Sequence, residues 1–182
     1  GAEVLDFIIT DLSAAKASIE PFNTSNSSLV QLTPTKEAAQ ALLARVLRMK
    51  GDIAGAGVEA EELIKSGKFN ISENPKDNSS EVILKFAGNI AEENGSWGWI
   101  MSYDARTWNC FAASDSLLNL LGTNDTRKSL FDISEAPETA GFIFSNKYSP
   151  NDDSDLLISR IPDMYLISAE AGNTARLAEL QS

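Results

Sequence analysis

TPTKEAAQALLARVLRMKGDIAGAGVEAEELIKSGKF, residues Thr33–Phe69, reads as two antiparallel helices joined by a tight turn. Thr33 is placed to cap the first, with Pro34 at a position where a missing N–H does no harm and Glu37 near the positive helix end. Ala38, Ala39, Leu42, Val46 and Met49 recur at helical spacing, while Glu37, Gln40 and Arg48 fall on the other side, so one face is expected to be buried. Gly51 stops this helix and Asp52 caps the next, whose apolar positions are Ile53, Ala56, Ala60, Leu63 and Ile64, with Gly67 as a left-handed stop. The small residues Ala54, Gly55, Ala56, Gly57 and Ala60 weaken intrinsic helicity but let backbones approach closely, so packing must decide the fold here. The pair is close to the roughly 34-residue period of the tetratricopeptide repeat, a helix hairpin that cannot bury its apolar face without neighbours.

Working outward, Val4–Ile19 carries the stripe Leu5, Ile8, Leu12, Ala15 and Ile19 of a packing helix closed by Pro21. Glu81–Ala87 has the alternation Val82, Leu84, Phe86 of a short strand. Ser114 caps a short helix carrying Leu117, Leu118 and Leu121 before Gly122, and Asp125 with Arg127 follows as a loop brace. Phe142–Phe144 is a possible strand within a mixed loop. A helix over Pro162–Ala171 aligns Met164, Ile167 and Ala171, with Glu170 needing a partner such as Arg160 or Arg45. Gly172-Asn173 breaks it, and Thr174 opens a last helical segment with an exposed apolar edge. The expectation is a mainly α chain of tetratricopeptide-like stacked hairpins with long loops and minor β. It forms a single domain over 1–182, with an aromatic-rich insertion at 88–111.

That insertion holds all three tryptophans. If Trp97–Tyr103 is extended, Trp97, Trp99, Met101 and Tyr103 share one face. Such a platform, with Trp108 nearby, can stack on the apolar face of a sugar ring while Asp104, Arg106 and Asn109 hydrogen-bond its hydroxyls. The alternative is that the rings fill space between helix layers, as aromatics do wherever they can be buried.

Several motifs point in one direction. They are A-A-x-A-L-L-A-R-V at Ala38–Val46, Gly51-Asp52, the I-x-S-G-K-F of Ile64–Phe69, and Asn78 to Ile83. Ser114 to Arg127 ending in D-x-R, Lys147-Tyr148, and the run from Arg160 to Ala171 complete the series. Together they resemble the SusD/RagB family of surface glycan-binding lipoproteins, and they match the middle part of a longer member. Pro162 and Asp163 depart from the family's pattern, which has a small residue and Glu there. The resemblance implies a SusD-like α-α superhelix and non-catalytic capture of an oligosaccharide or polysaccharide at the bacterial outer membrane. It further implies nutrient delivery to a SusC-like TonB-dependent transporter, by a lipoprotein whose anchor residues are not in this chain.

Composition narrows the alternatives. A net charge of −11 disfavours nucleic-acid phosphates and anionic membrane surfaces. No apolar run approaches the roughly 18 residues needed to span a bilayer. The absence of histidine removes Ser-His-Asp devices and most zinc sites, and no phosphate-cradling loop or dinucleotide fingerprint is present, so neither metal nor cofactor is expected. Asn151–Asp155 alternates oxygen ligands, but Leu156 and Pro162 stand where a calcium loop needs Gly and Glu. Two further readings remain: a protein-interaction repeat without sugar affinity, and a glycoside hydrolase using Glu92, Glu93 or Asp104.

Overall fold

A computed structural model of the chain describes residues 1–22, 31–72, 79–88, 112–135, 137, 140–147 and 155–181. Its elements, in order, are α1 (Ala2–Ser18), α2 (Lys36–Lys50), α3 (Ile53–Lys65), β1 (Val82–Phe86), α4 (Asp115–Leu120), a 3-10 turn (Thr126–Leu130), β2 (Phe131–Ile133), β3 (Ile143–Ser145), β4 (Leu156–Arg160), α5 (Ile161–Glu170) and α6 (Ala175–Gln181). They fall into two compact units. The described residues of the first lie within Gly1–Ser72, Ser79–Lys85 and Leu157–Ser182, and those of the second within Phe86–Leu156.

The first unit is the expected stack of helix pairs. α1 packs on α2, α2 on α3, α3 on α5 and α5 on α6, with α2 also meeting α5. Its core is built from small side chains at the helix contacts (Ala41, Ala44, Ala56 and Ala60 are all fully buried), filled out by Leu63, Ile83, Ile161 and Met164. Phe22 and Phe69 close one end, their rings 4.8 Å apart. The stripe of α1 is half-buried as its spacing requires, and Asp52 caps α3 by accepting from the Gly55 N–H at 2.9 Å. Gly51 and Gly67 stop α2 and α3 at φ +93° and +62°, where an L side chain would be strained.

Several local expectations are corrected. The cap of α2 is Thr35 and not Thr33: its hydroxyl accepts from the Ala38 N–H at 3.1 Å, and the Lys36 N–H is taken by the Glu20 carbonyl. Glu37 and Gln40, expected on the solvent side, are buried, whereas Met49, expected inside, is 70% exposed. The first half of α2 is enclosed on all sides, and the second half emerges from the stack. In β1 the alternation fails, since Val82 and Ile83 are both buried and Phe86 is exposed. β1 pairs with β4, and the Ile161 N–H donates to the Glu81 carbonyl at 2.9 Å, so α5 starts one residue before Pro162. Glu170 is exposed and pairs with Arg48; Arg160 instead meets Glu81, and Arg45 donates to the Ile158 carbonyl. α6 follows Gly172 (φ +109°) and leaves Leu177 exposed.

In the second unit, β2 and β3 form an antiparallel pair with Asp132 opposite Phe144, and Phe144 is its buried anchor. Ser114 caps α4 by accepting from the Leu117 N–H at 3.2 Å. α4 ends on Leu121 in an extended conformation, before Gly122 is reached.

The small residues of α3 also set its approach to the end of α5. A methyl group at Gly57 would overlap the Cβ of Ala171, at the end of α5. Gly→Ala within a helix ordinarily stabilises by about 0.5–1 kcal/mol; here overpacking, which costs about 1–3 kcal/mol, should win. Gly57→Ala is therefore expected to lower the urea midpoint, and Ala171→Gly in the same chain to restore part of the loss. A stabilised Gly57→Ala protein would show that the two helices do not touch here.

Candidate functional site

The residues expected to bind sugar (Trp97, Trp99, Tyr103, Asp104, Arg106, Trp108 and Asn109) lie outside the described residues, as do Glu92 and Glu93. What the structure describes is how the chain is held on either side of them, within the second unit. On entry, the Gly88 N–H donates to Asp155 Oδ1 at 3.1 Å. On exit, the Ala113 N–H donates to the Ile143 carbonyl at 2.7 Å, joining the chain to β3. Asp155, the last of the alternating oxygen ligands in the sequence that fails as a calcium loop, is thus an anchor. Only its contact across 67 positions reveals the role, and no local pattern signals it.

The segment after the exit is braced by Asp125 and Arg127. Asp125 caps the 3-10 turn through the Arg127 N–H at 3.0 Å and takes a two-pronged ion pair from the Arg127 guanidinium at 2.9 and 2.6 Å. The guanidinium, foremost, holds this carboxyl down at about 2. It is a charged acceptor at all ordinary pH and serves the loop, in keeping with the brace expected from its spacing. Asn146 Nδ2 donates to Asp132 Oδ2 at 2.6 Å, tying the end of β3 to β2.

Clefts lie between helices among the described residues of the first unit. One, of about 410 Å³, lies between α3 and the end of α5, bordered by Val58, Glu61, Lys65, Ser168 and Asn173. Another, of about 350 Å³, lies between α2 and α5, bordered by Arg45, Arg48, Met49, Asp163, Leu166 and Glu170. Among the described residues no aromatic ring lines either, so these residues offer no flat apolar surface on which a sugar ring stacks.

Three carboxylates of the first unit, those of the buried Glu37 and Glu81 and the half-buried Glu61, are held by donors. Glu81 accepts from the Ser72 N–H at 2.9 Å and from Arg160 at 3.2 Å. Glu37 accepts from the Phe22 N–H and from Lys68 Nζ, both at 2.5 Å. Burial works to raise the Glu37 pKa, but the Lys68 ammonium and the Phe22 N–H outweigh it and hold it below the ordinary value. Glu61 is held well below that range, foremost by the Arg176 guanidinium. Carboxyls depressed in this way remain deprotonated and accept hydrogen bonds; they are poorly suited to give up a proton as general acids.

Solved structures of similar shape were found along nearly the whole chain. A SusD superfamily protein from Bacteroides vulgatus matches 98% of this chain with a TM-score of 0.76 at 22% identity. A SusD-like carbohydrate-binding protein from the same organism matches 98% with a TM-score of 0.79 at 18% identity.

The chain has the SusD-like fold.

A laminarin-binding SusD-like protein matches likewise, over 98% of this chain with a TM-score of 0.73 and 18% identity. No protein-family profile and no curated protein sequence matches. The chain spans 44% and 42% of the lengths of the two B. vulgatus proteins. Within the second unit, the chain is held at Gly88 on one side of the aromatic segment and at Ala113 on the other.

The Glu37 contact yields a prediction with a definite sign. A carboxyl whose folded pKa is depressed contributes stability that is present above its ordinary value near 4.5 and is lost as pH falls below it. Glu37→Gln is expected to cost about 1–3 kcal/mol at neutral pH, as hydrogen bonds to a charged group are weakened. Its stability should also fall less steeply than the wild type's from pH 5 to pH 3, in urea melts at each pH. Parallel curves for the two proteins would mean that Glu37 carries no such linkage.

Proposed function

We propose that this chain belongs to a non-catalytic glycan-binding protein of the bacterial outer surface, which captures an oligosaccharide or polysaccharide and passes it to a SusC-like TonB-dependent transporter. The observation that carries the reading is the shared fold, found along 98% of the chain in a protein described as SusD-like and carbohydrate binding. The ordered motifs from Ala38 to Ala171 support it independently of shape. Attachment as a lipoprotein belongs to the same proposal. None of the described helices is long and apolar enough to cross a membrane.

The binding surface in this reading is the aromatic segment. Trp97, Trp99, Tyr103 and Trp108 provide faces for sugar rings, and Asp104, Arg106 and Asn109 provide hydrogen bonds that fix the ring's orientation. The clefts of the helical unit support this choice, because stacking on a pyranose needs a flat ring and none of the described residues bordering them carries one. The carboxylates of the frame, engaged by Lys68, Arg160 and Arg176, have structural work that accounts for them without catalysis.

Calorimetry with a panel of bacterial, plant and algal oligosaccharides tests the proposal. At least one glycan is expected to bind, with Trp97→Ala and Trp99→Ala each weakening it tenfold or more, as loss of a stacked ring of about 1.5 kcal/mol implies. Binding that survives both substitutions would move the site off this segment. Release of shortened products from a labelled oligosaccharide would replace capture with hydrolysis.

A further inference from the structure

The stretch of chain that bears the three tryptophans is held on both sides within the second unit, and the two holds differ in kind. On the exit side the Ala113 N–H donates to the Ile143 carbonyl at 2.7 Å, a backbone contact with a residue that β3 already pairs with Ile133 of β2. On the entry side the Gly88 N–H donates to a side chain, Asp155 Oδ1, at 3.1 Å. Gly88 follows the end of β1 by two residues and Asp155 precedes β4 by one. β1 and β4 are neighbours in one two-stranded sheet, so donor and acceptor meet although 67 positions separate them. Of these two holds, only the entry depends on a side chain, and a single substitution can remove it.

We infer that Asp155 is a positioning residue for ligand capture: by holding the Gly88 N–H it fixes the point from which residues 89–112 present Trp97, Trp99 and Trp108. The inference rests on the reading of that segment as the glycan-binding surface. A chain segment pinned at both ends has fewer arrangements than one pinned at a single end. A ligand that needs one arrangement therefore meets a smaller entropy cost when both pins are in place. In this role Asp155 acts through the Gly88 amide, and the tryptophan faces make the contact with sugar. A carboxylate suits the task, because a charged acceptor holds an N–H about twice as strongly as a neutral one.

Tryptophan emission under selective excitation tests the positioning directly, because all three tryptophans of the chain lie between positions 97 and 108. In the intact protein, Asp155→Ala is expected to lower the anisotropy of that emission and to weaken glycan affinity about tenfold, the scale of one lost charge-assisted hydrogen bond. Asp155→Asn keeps an oxygen that accepts from the Gly88 N–H, so it should recover most of both. Helical circular dichroism and the thermal midpoint should stay at wild-type values in both variants. Wild-type anisotropy and affinity in Asp155→Ala, an Asp155→Asn protein as impaired as Asp155→Ala, or a thermal midpoint that falls in Asp155→Ala would each overturn the inference. A wild-type protein that binds no glycan of the panel overturns the binding reading instead, and the anisotropy then decides by itself whether Asp155 sets the segment.

Discussion

The close approach of α3 to its neighbours is the constraint on which the helical unit rests. Ala56 and Ala60 are fully buried, and Gly57 leaves no room for a methyl beside Ala171. Side chains this small contribute little apolar area each, so the stack is stabilised by density: many helix contacts at short range, with Leu63, Ile161 and Met164 filling what remains. A sequence with weak helix propensity in α3 is the consequence. The helix is held by what it packs against, and its neighbours in turn need its narrow surface.

Close packing leaves the connections to be held by polar groups, and the chain does so with acidic side chains reaching across sequence. Glu37 receives the loop at Phe22 and the end of the hairpin at Lys68, Glu81 joins Ser72 to Arg160, and Glu61 gathers α5 and α6. A buried carboxylate with all its donors present fixes one arrangement; the same carboxylate without a donor would be costly. These groups are scaffold, and their depressed pKa values at Glu37 and Glu61 express that role.

The fold was legible because the hairpin punctuation is local. Gly51, Asp52 and Gly67 act in three-dimensional structure as their types suggest, and the small-residue run of α3 announced a tight contact. The errors arose where distant chain decides. Periodicity placed Glu37 and Gln40 outside, but α2 is enclosed on all sides in its first half. Gln40 serves there as donor to the Glu59 carbonyl and the Glu62 carboxylate. Thr35 displaced Thr33 as the cap because Glu20 meets the Lys36 N–H, a pairing across 16 positions that no window of sequence contains. Glu170 found Arg48 because α2 and α5 are neighbours, which spacing along the chain does not reveal. Of the candidate site, composition exposed the aromatic cluster. The residues that secure its ends, Asp155 and Ile143, are unremarkable in sequence because their role consists entirely of remote contacts.

Frame and proposed binding surface are separable in this account: the stacked hairpins are held by their own contacts, and sugar recognition is proposed for the aromatic segment between Gly88 and Ala113. Replacing 89–111 by a Gly/Ser stretch of equal length, then measuring helical circular dichroism, the thermal midpoint and glycan affinity on the same sample, tests that division most directly. The account predicts unchanged helicity and a folded, cooperative stack that binds no glycan. A chain that unfolds, or one that still binds the glycan of the intact protein, would contradict it.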